Sequence, residues 1–136
     1  LKNQFPQTEV CVELGRYISA QVGLFLIEVL DKKTNGGTDF LVCSGGLQNF
    51  AAATGNFGQV LRRNHPLRAV RTHSKSKSFT VTGPLCTPMD VFARDIEISD
   101  VSIGDTLAVF QAGAYGASAS PSAFLSHPLA VERMVH

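Results

Sequence analysis

Four short segments of the 136-residue chain hold residue types that can do chemistry. In Glu13-Leu14-Gly15-Arg16 a glycine sits beside an arginine. Glycine lets backbone N–H groups approach an anion, and a guanidinium fork matches phosphate oxygens. Taken alone, a strand-edge ion pair is the commoner meaning of such residues. In Gly83-Pro84-Leu85-Cys86-Thr87-Pro88-Met89-Asp90 a thiol and a carboxylate share a loop stiffened by two prolines. A thiol can give or take a proton near neutrality when its surroundings tune it, although a small buried cysteine in a turn is the commoner case. Gly113-Ala114-Tyr115-Gly116 presents a phenol with little crowding, suited to an anion, to a flat ring or to packing beside a turn. Ser44-Gly45-Gly46 reads as a tight turn.

Other chemistries lack their residues. His65, His73, His127 and His136 are dispersed, and no metal site is expected from them. Cys11, Cys43 and Cys86 share no CxxC spacing and are too few for a disulfide framework, so reduced thiols and a cytoplasmic location are expected. The GxSxG elbow of a hydrolase, the dinucleotide fingerprint and the P-loop are absent. Apolar runs break before the roughly 18 residues that a membrane span needs. Neither a membrane nor a nucleic-acid partner is expected. The chain does not begin with Met and shows no signal peptide, which leads us to expect a fragment or a processed chain. The net charge of +1 hides an asymmetry: no acid occurs between Asp39 and Asp90, where Arg62, Arg63, Arg68, Arg71, Lys75 and Lys77 lie. A solvated basic loop is the simpler reading, and a patch for an acidic partner is the sharper one.

The elements that must position these residues are mostly strands. Twelve glycines, six prolines and β-branched runs predict a β-rich domain. The alternation of Ile18, Ala20, Val22, Leu24 and Leu26 predicts a strand over 17–30. The turn after it has Asn35-Gly36 supplying positive φ, and residues 40–43 return. Residues 48–61 are ambiguous, with helix-friendly alanines against Gly55 and Gly58. Further strands are expected near 69–72, 79–82, 95–98, 106–111 and 130–135, with a helical turn at 89–93 and short helix mixed with loop at 117–125. The expected buried set is Leu24, Leu26, Ile27, Val42, Val81, Ile96, Ile98, Leu107 and Val109. Six or more short strands without a repeated helix make the fold class mainly β, a barrel or sandwich with short helical segments, as one domain over 1–136.

The order of the motifs is more specific than any one of them. Glu13-x-Gly15-Arg16, Gly45-Gly46, Gly83-Pro84-x-Cys86-x-x-x-Asp90, Gly104-Asp105-x-Leu107-Ala108-Val109 and Gly113-Ala114-Tyr115-Gly116 together resemble the C-terminal part of the fold-type III pyridoxal-phosphate decarboxylases. That family includes the ornithine, diaminopimelate and arginine decarboxylases, and the resemblance runs from about residue 9 to 135. It implies a C-terminal β-domain without the family's (β/α)8 barrel, and pyridoxal 5'-phosphate as cofactor. It implies that Glu13 pairs with the pyridine nitrogen, that Gly15, Arg16 and Tyr115 bind the phosphate, and that Cys86 is the catalytic proton donor. Thr87 and Asp90 would lie at the substrate end or support the loop. It also implies a homodimer with shared active sites, in which the Cys86 loop serves the partner's cofactor.

Three departures from the family pattern matter. Leu14 stands where a proline is common, and Ser44 where an Asp often precedes Gly-Gly. Thr87 stands where enzymes for basic amino acids place an acid, which disfavours lysine-like or ornithine-like substrates and allows an amino acid tethered to a carrier protein. The lysine that anchors the cofactor belongs to the absent barrel, so the fragment is expected to be inactive alone. An alanine-racemase-like domain and a non-catalytic binding or regulatory domain are the alternatives.

Overall fold

The computed structural model describes residues 3–54 and 63–135. Its centre is one six-stranded sheet. In chain order the strands are β1 (Phe25–Asn35), β2 (Thr38–Cys43), β3 (Leu67–Ala69), β4 (Ser76–Thr82), β5 (Val91–Ser99) and β6 (Thr106–Val109). They lie side by side as β3-β6-β1-β2-β4-β5. Every pairing is antiparallel except β2 with β4. Helices are short: α1 (Gly15–Ser19), α2 (Leu47–Thr54), and single 3₁₀ turns at Ala20–Val22, Ala117–Ala119 and Phe124–Ser126.

β1 joins the two halves of the sheet. Its first residues pair with β6, from Phe25↔Val109 to Glu28↔Thr106, and its later ones with β2. Between Val29↔Cys43 and Asp31↔Val42 the register slips by one, leaving Leu30 as the extra residue of a bulge. A bulge bends a strand and resets which face its side chains meet. Ile27 and Val29 point inward before it, and Lys32 is half-buried beyond it. The sheet curls until its outer strands nearly meet. The Asn64 amide donates to Arg94 O at 2.7 Å, and Asn64 Oδ1 accepts the Arg94 N–H at 2.9 Å. His65 N–H donates to Phe92 O at 3.1 Å. These bonds tie the approach to β3 onto β5, so the barrel is nearly closed and little strand edge stays open.

The interior holds Ile27, Leu41, Phe79, Val81, Leu107 and Val109, all at 1 % exposure or less. Below it α2 brings Phe50 against Phe25, ring centroids 6.2 Å apart and nearly perpendicular, and against His65 at 5.2 Å. Edge-to-face packing of this kind adds to the burial of the rings themselves.

Several sequence expectations are corrected. Residues 17–22 are helical, not strand, and Ile18 and Val22 face solvent. The α-helix begins where Ile18 N–H meets Leu14 O, and β6 already has its partners in Phe25 to Glu28 and in β3. Leu24 and Leu26 are exposed, because Ile27 and Val29 take the inward phase of β1. A one-residue change of phase turns a whole strand over. Val42 and Ile96 are half-buried, whereas the rest of the expected buried set lies inside. The hairpin's positive φ falls on Gly36 (+56°) and Gly37 (+80°), one residue later than expected. No helical turn forms at 89–93, because Val91, Phe92 and Ala93 enter β5 as a buried run. No strand forms at 130–135. Of the ambiguous stretch 48–61, residues 48–54 are helical and 55–62 lie outside the described residues. The mixture of loop and short helix at 117–125 is as expected.

If the Asn64 clip closes the barrel, Asn64→Ala will lower the chain's unfolding free energy by about 1 kcal/mol for the bonds lost. Urea unfolding measures this, and hydrogen exchange should show the Arg94 amide losing protection first.

Candidate functional site

Two clusters gather the sequence-predicted residues. The first lies where α1 meets the loop after β6. Gly113 N–H donates to Ala20 O at 3.0 Å, and Ala112 N–H to Gly23 O at 2.9 Å. The contact admits no side chain: a Cβ on Gly113 would fall 2.0 Å from Ser19 O, and one on Gly23 would fall 2.5 Å from Gly113 N. This close approach brings Arg16 over the ring of Tyr115, 5.3 Å from guanidinium carbon to ring centroid. Stacking of this kind holds a cation without using up its N–H donors. Tyr115 has φ +53°, uncommon for a tyrosine, and such conformations persist where surrounding structure fixes them. Gly15 opens α1 with nothing within 4 Å of the Cβ position, so its backbone can be approached closely. Arg16 has no ion pair among the described residues. Glu13 is exposed just ahead of the helix.

The second cluster is built around Asp90, which is 2 % exposed. Its Oδ1 accepts the Leu47 N–H at 2.7 Å and its Oδ2 accepts the Leu85 N–H at 2.8 Å. Gly46 and Gly83 flank it, and a Cβ on either would lie within 2.4 Å of a carboxylate oxygen. The carboxylate therefore bridges the Gly45-Gly46 turn and the Cys86 loop. Within that loop Thr87 N–H donates to Leu85 O and Asp90 N–H to Thr87 O, at 2.8 and 3.2 Å. Cys86 projects from this frame into solvent, and Thr87 is half-buried beside it. Cys43, by contrast, is buried with its thiol pushed up to about 12 by burial and by the nearby Asp90 charge, which keeps it protonated. Burial also lowers His65, whose Nε2 lies 2.8 Å from Phe110 O; the Arg16 charge pushes the same way.

Neither a hydrogen bond, an ion pair nor a ring contact joins Cys86 to Arg16 or Tyr115 among the described residues. Sequence reasoning missed the residues that support the two clusters. Ser120 accepts the Ala51 N–H at 2.8 Å and donates to Gly116 O at 2.8 Å. A serine in an Ala-Ser tract gives no signal of this kind.

The basic run changes character in three dimensions. Lys77 pairs with Asp39 at 2.7 Å and His73 with Asp105 at 3.4 Å. Lys75 O accepts the Asp100 N–H, Asp100 pairs with Lys32 at 2.6 Å, and Asp105 is lowered by the Ser102 N–H, then by His73 and by Arg71. Acids absent from the local sequence thus reach Lys77 from β2 and His73 from the loop between β5 and β6. Arg62 lies outside the described residues.

A family model described as pyridoxal-dependent decarboxylase, C-terminal sheet domain, matches residues 16–113. The chain belongs to this family. A 2-((L-alanin-3-ylcarbamoyl)methyl)-2-hydroxybutanedioate decarboxylase of Staphylococcus aureus is 39% identical over 85% of the chain. An L-glutamyl-(BtrI acyl-carrier protein) decarboxylase of Niallia circulans is 37% identical over 95% of it, and a diaminopimelate decarboxylase of Zymomonas mobilis 32% over 90%. The chain spans only 30%, 31% and 28% of these three relatives in turn. Among solved structures, AQ1208 from Aquifex aeolicus superposes with a TM-score of 0.76 at 29% identity, covering 85% of this chain and 27% of that one. SrLDC in complex with PLP and cadaverine gives 0.75 at 27% identity, covering 95% and 32%.

Pyridoxal phosphate is the cofactor of this family, and the first cluster suits its phosphate. An unpaired guanidinium, an exposed phenol and an open glycine backbone form a donor set for a phosphate monoester. No helix among the described residues is long and apolar enough to cross a membrane.

Asp90 yields a pH prediction. Burial raises its carboxyl above the ordinary range, against the two N–H bonds and the His127 charge that lower it. A raised folded-state value gives stability that is fully present below the unfolded value of about 3.9 and is lost as pH rises through the folded value. Wild type should therefore gain stability relative to Asp90→Asn as pH falls through that window. Paired urea titrations from neutral to acid pH measure the difference, and the other carboxylates cancel between the two proteins.

Proposed function

We propose that the chain is the C-terminal domain of a pyridoxal-phosphate-dependent amino-acid decarboxylase that works as a homodimer with shared active sites. The observation that carries this reading is a pair of clusters that share no direct contact among the described residues, which we read as two half-sites: an anion cradle at Arg16 and Tyr115, and a clasped loop that presents an exposed Cys86. Two such chains related by a two-fold axis could complete each other's sites.

Pyridoxal phosphate, when bound, supplies the electron sink that lets the amino acid's α-carboxylate leave as carbon dioxide. The chain's residues bind, orient and move a proton. Arg16, Gly15 and Tyr115 hold the phosphate and so fix the ring's position. Glu13 keeps a proton on the pyridine nitrogen. Cys86, from the partner subunit, delivers a proton to Cα once the carboxylate has gone. Thr87 faces the far end of the substrate, while Asp90 supports the loop.

Thr87 offers a neutral hydroxyl, so a substrate with a free distal ammonium would lack a counter-charge. An amino acid whose far end is acylated or tethered to a carrier suits the site better. The Niallia circulans relative, named for an L-glutamyl group on an acyl-carrier protein, is consistent with that preference. Of the basic run, Lys77 is held by Asp39, while Arg63, Arg68, Arg71 and Lys75 stay exposed and could meet an acidic carrier.

In the full-length protein, Arg16→Ala should weaken cofactor binding by roughly 10-fold or more, as expected for losing charge-assisted bonds worth about 1.5–3 kcal/mol. Fluorescence titration with pyridoxal phosphate tests this, and unchanged affinity would remove Arg16 from the phosphate site. Cys86→Ala should leave that affinity within about twofold but slow turnover on the order of 10²-fold, as for loss of a general acid. Solvent-deuterium incorporation at Cα would expose any diverted protonation, and wild-type turnover would exclude the proton-donor role. The 136-residue chain alone should release no carbon dioxide from any amino acid.

A further inference from the structure

The two clusters share no direct contact among the described residues but have a common support. Helix α2 is kinked at Phe50 (φ −145°, ψ 70°). Before the kink, the Leu47 N–H is taken by Asp90 Oδ1, and the other oxygen of that carboxylate holds the Leu85 N–H of the Cys86 loop. Beyond the kink, the Ala51 N–H is taken by Ser120 Oγ. The same hydroxyl donates to Gly116 O, the neighbour of Tyr115. The Leu47 N–H is one of the donors that every helix leaves open in its first turn, the kink leaves the Ala51 N–H without its usual acceptor, and a buried unpaired N–H is unfavourable. Here both donors are satisfied by side chains that each make a second bond to a site element. Ala51, Ala52 and Ala53 are buried, so the helix has little room to shift.

We propose that kinked α2 is the common seat of both half-sites, with Asp90 and Ser120 as the positioning residues that hang the Cys86 loop and the Tyr115 loop on it. Asp90 is closed off within the chain: both oxygens are engaged and the two flanking glycines fill the space around them. The consequence for catalysis rests on the roles given above to Cys86 and Tyr115, but the seat itself does not.

The test uses the full-length holoenzyme. Asp90→Asn keeps the shape but turns one acceptor into a donor facing an N–H. Leu85 and Leu47 amides should then exchange about 10-fold faster or more, matching loss of a charged-acceptor bond. Alkylation of Cys86, followed by peptide mass, should change by at least about threefold with pyridoxal-phosphate affinity near wild type. Ser120→Ala should speed Ala51 exchange and weaken pyridoxal-phosphate affinity about 3- to 10-fold, with Cys86 alkylation as in wild type. Gly83→Ala displaces the same carboxylate from the opposite side and should reproduce the Asp90→Asn pattern, which guards against poor folding of one variant. Wild-type Cys86 alkylation in both Asp90→Asn and Gly83→Ala, or wild-type cofactor affinity in Ser120→Ala, would overturn the proposal. Alkylation, exchange and cofactor affinity are all read without turnover. A protein that shows these changes yet decarboxylates nothing would defeat the functional reading alone.

Discussion

The structure depends on the bulge in β1. A straight strand of eleven residues would keep one face inward along its whole length and one set of partners. The extra residue at Leu30 ends that regularity. It lets the front half of β1 pair with β6 and the back half with β2, so that one strand belongs to both sides of a curled sheet. It also changes what the inner face meets. Ahead of the bulge are Ile27 and Val29 and a dry core. Beyond it is Lys32, its ammonium 5.0 Å from the centre of the Phe79 ring and bonded to Asp100 and Val101 O. One end of the barrel is aromatic and packed on α2, and the other is a mixed-charge rim.

That polarity decides where chemistry can be placed. The rim uses its charges on itself, and Asp39, Asp100 and Asp105 are all lowered by the partners they hold. The α2 end keeps its charges for other uses: Arg16 stacks on a phenol instead of pairing with an acid, and the buried Asp90 spends its oxygens on backbone N–H groups. The candidate site residues Arg16 and Asp90 lie at the end where side-chain charges do not pair with one another.

How much was legible in the sequence follows from how local each determinant is. Gly36-Gly37, the turn at residues 44–46 and the Gly-Pro loop before Cys86 are punctuated by residues whose backbone preferences are their own. The core positions Ile27, Val81, Leu107 and Val109 follow from alternation within strands. The ordered motif set was informative because it samples five distant points of one fold. The failures lie where tertiary partners decide. Residues 17–22 alternate like a strand, yet β6 already pairs with β1 on one side and with β3 on the other. Leu24 and Leu26 alternate correctly but in the outward phase, which only the pairing with β6 settles. The basic run looked wholly uncompensated because the acid that pairs with Lys77 lies on β2 and the one that pairs with His73 in the segment between β5 and β6. Ser120 carries no signature at all, since its importance is a matter of which N–H it meets.

The apolar residues that face outward ahead of and at the start of β1 have a practical side. Tyr17, Ile18, Val22, Leu24 and Leu26 all lie within ten residues of chain and are each more than half exposed. Ser19, Ala20, Gln21, Gly23 and Phe25 lie between them, and of these Ala20 is buried and Phe25 half-buried. A protein chemist would meet this patch first as a handling problem: the chain in isolation would bind hydrophobic dyes, adhere to column matrices and lose solubility as it is concentrated.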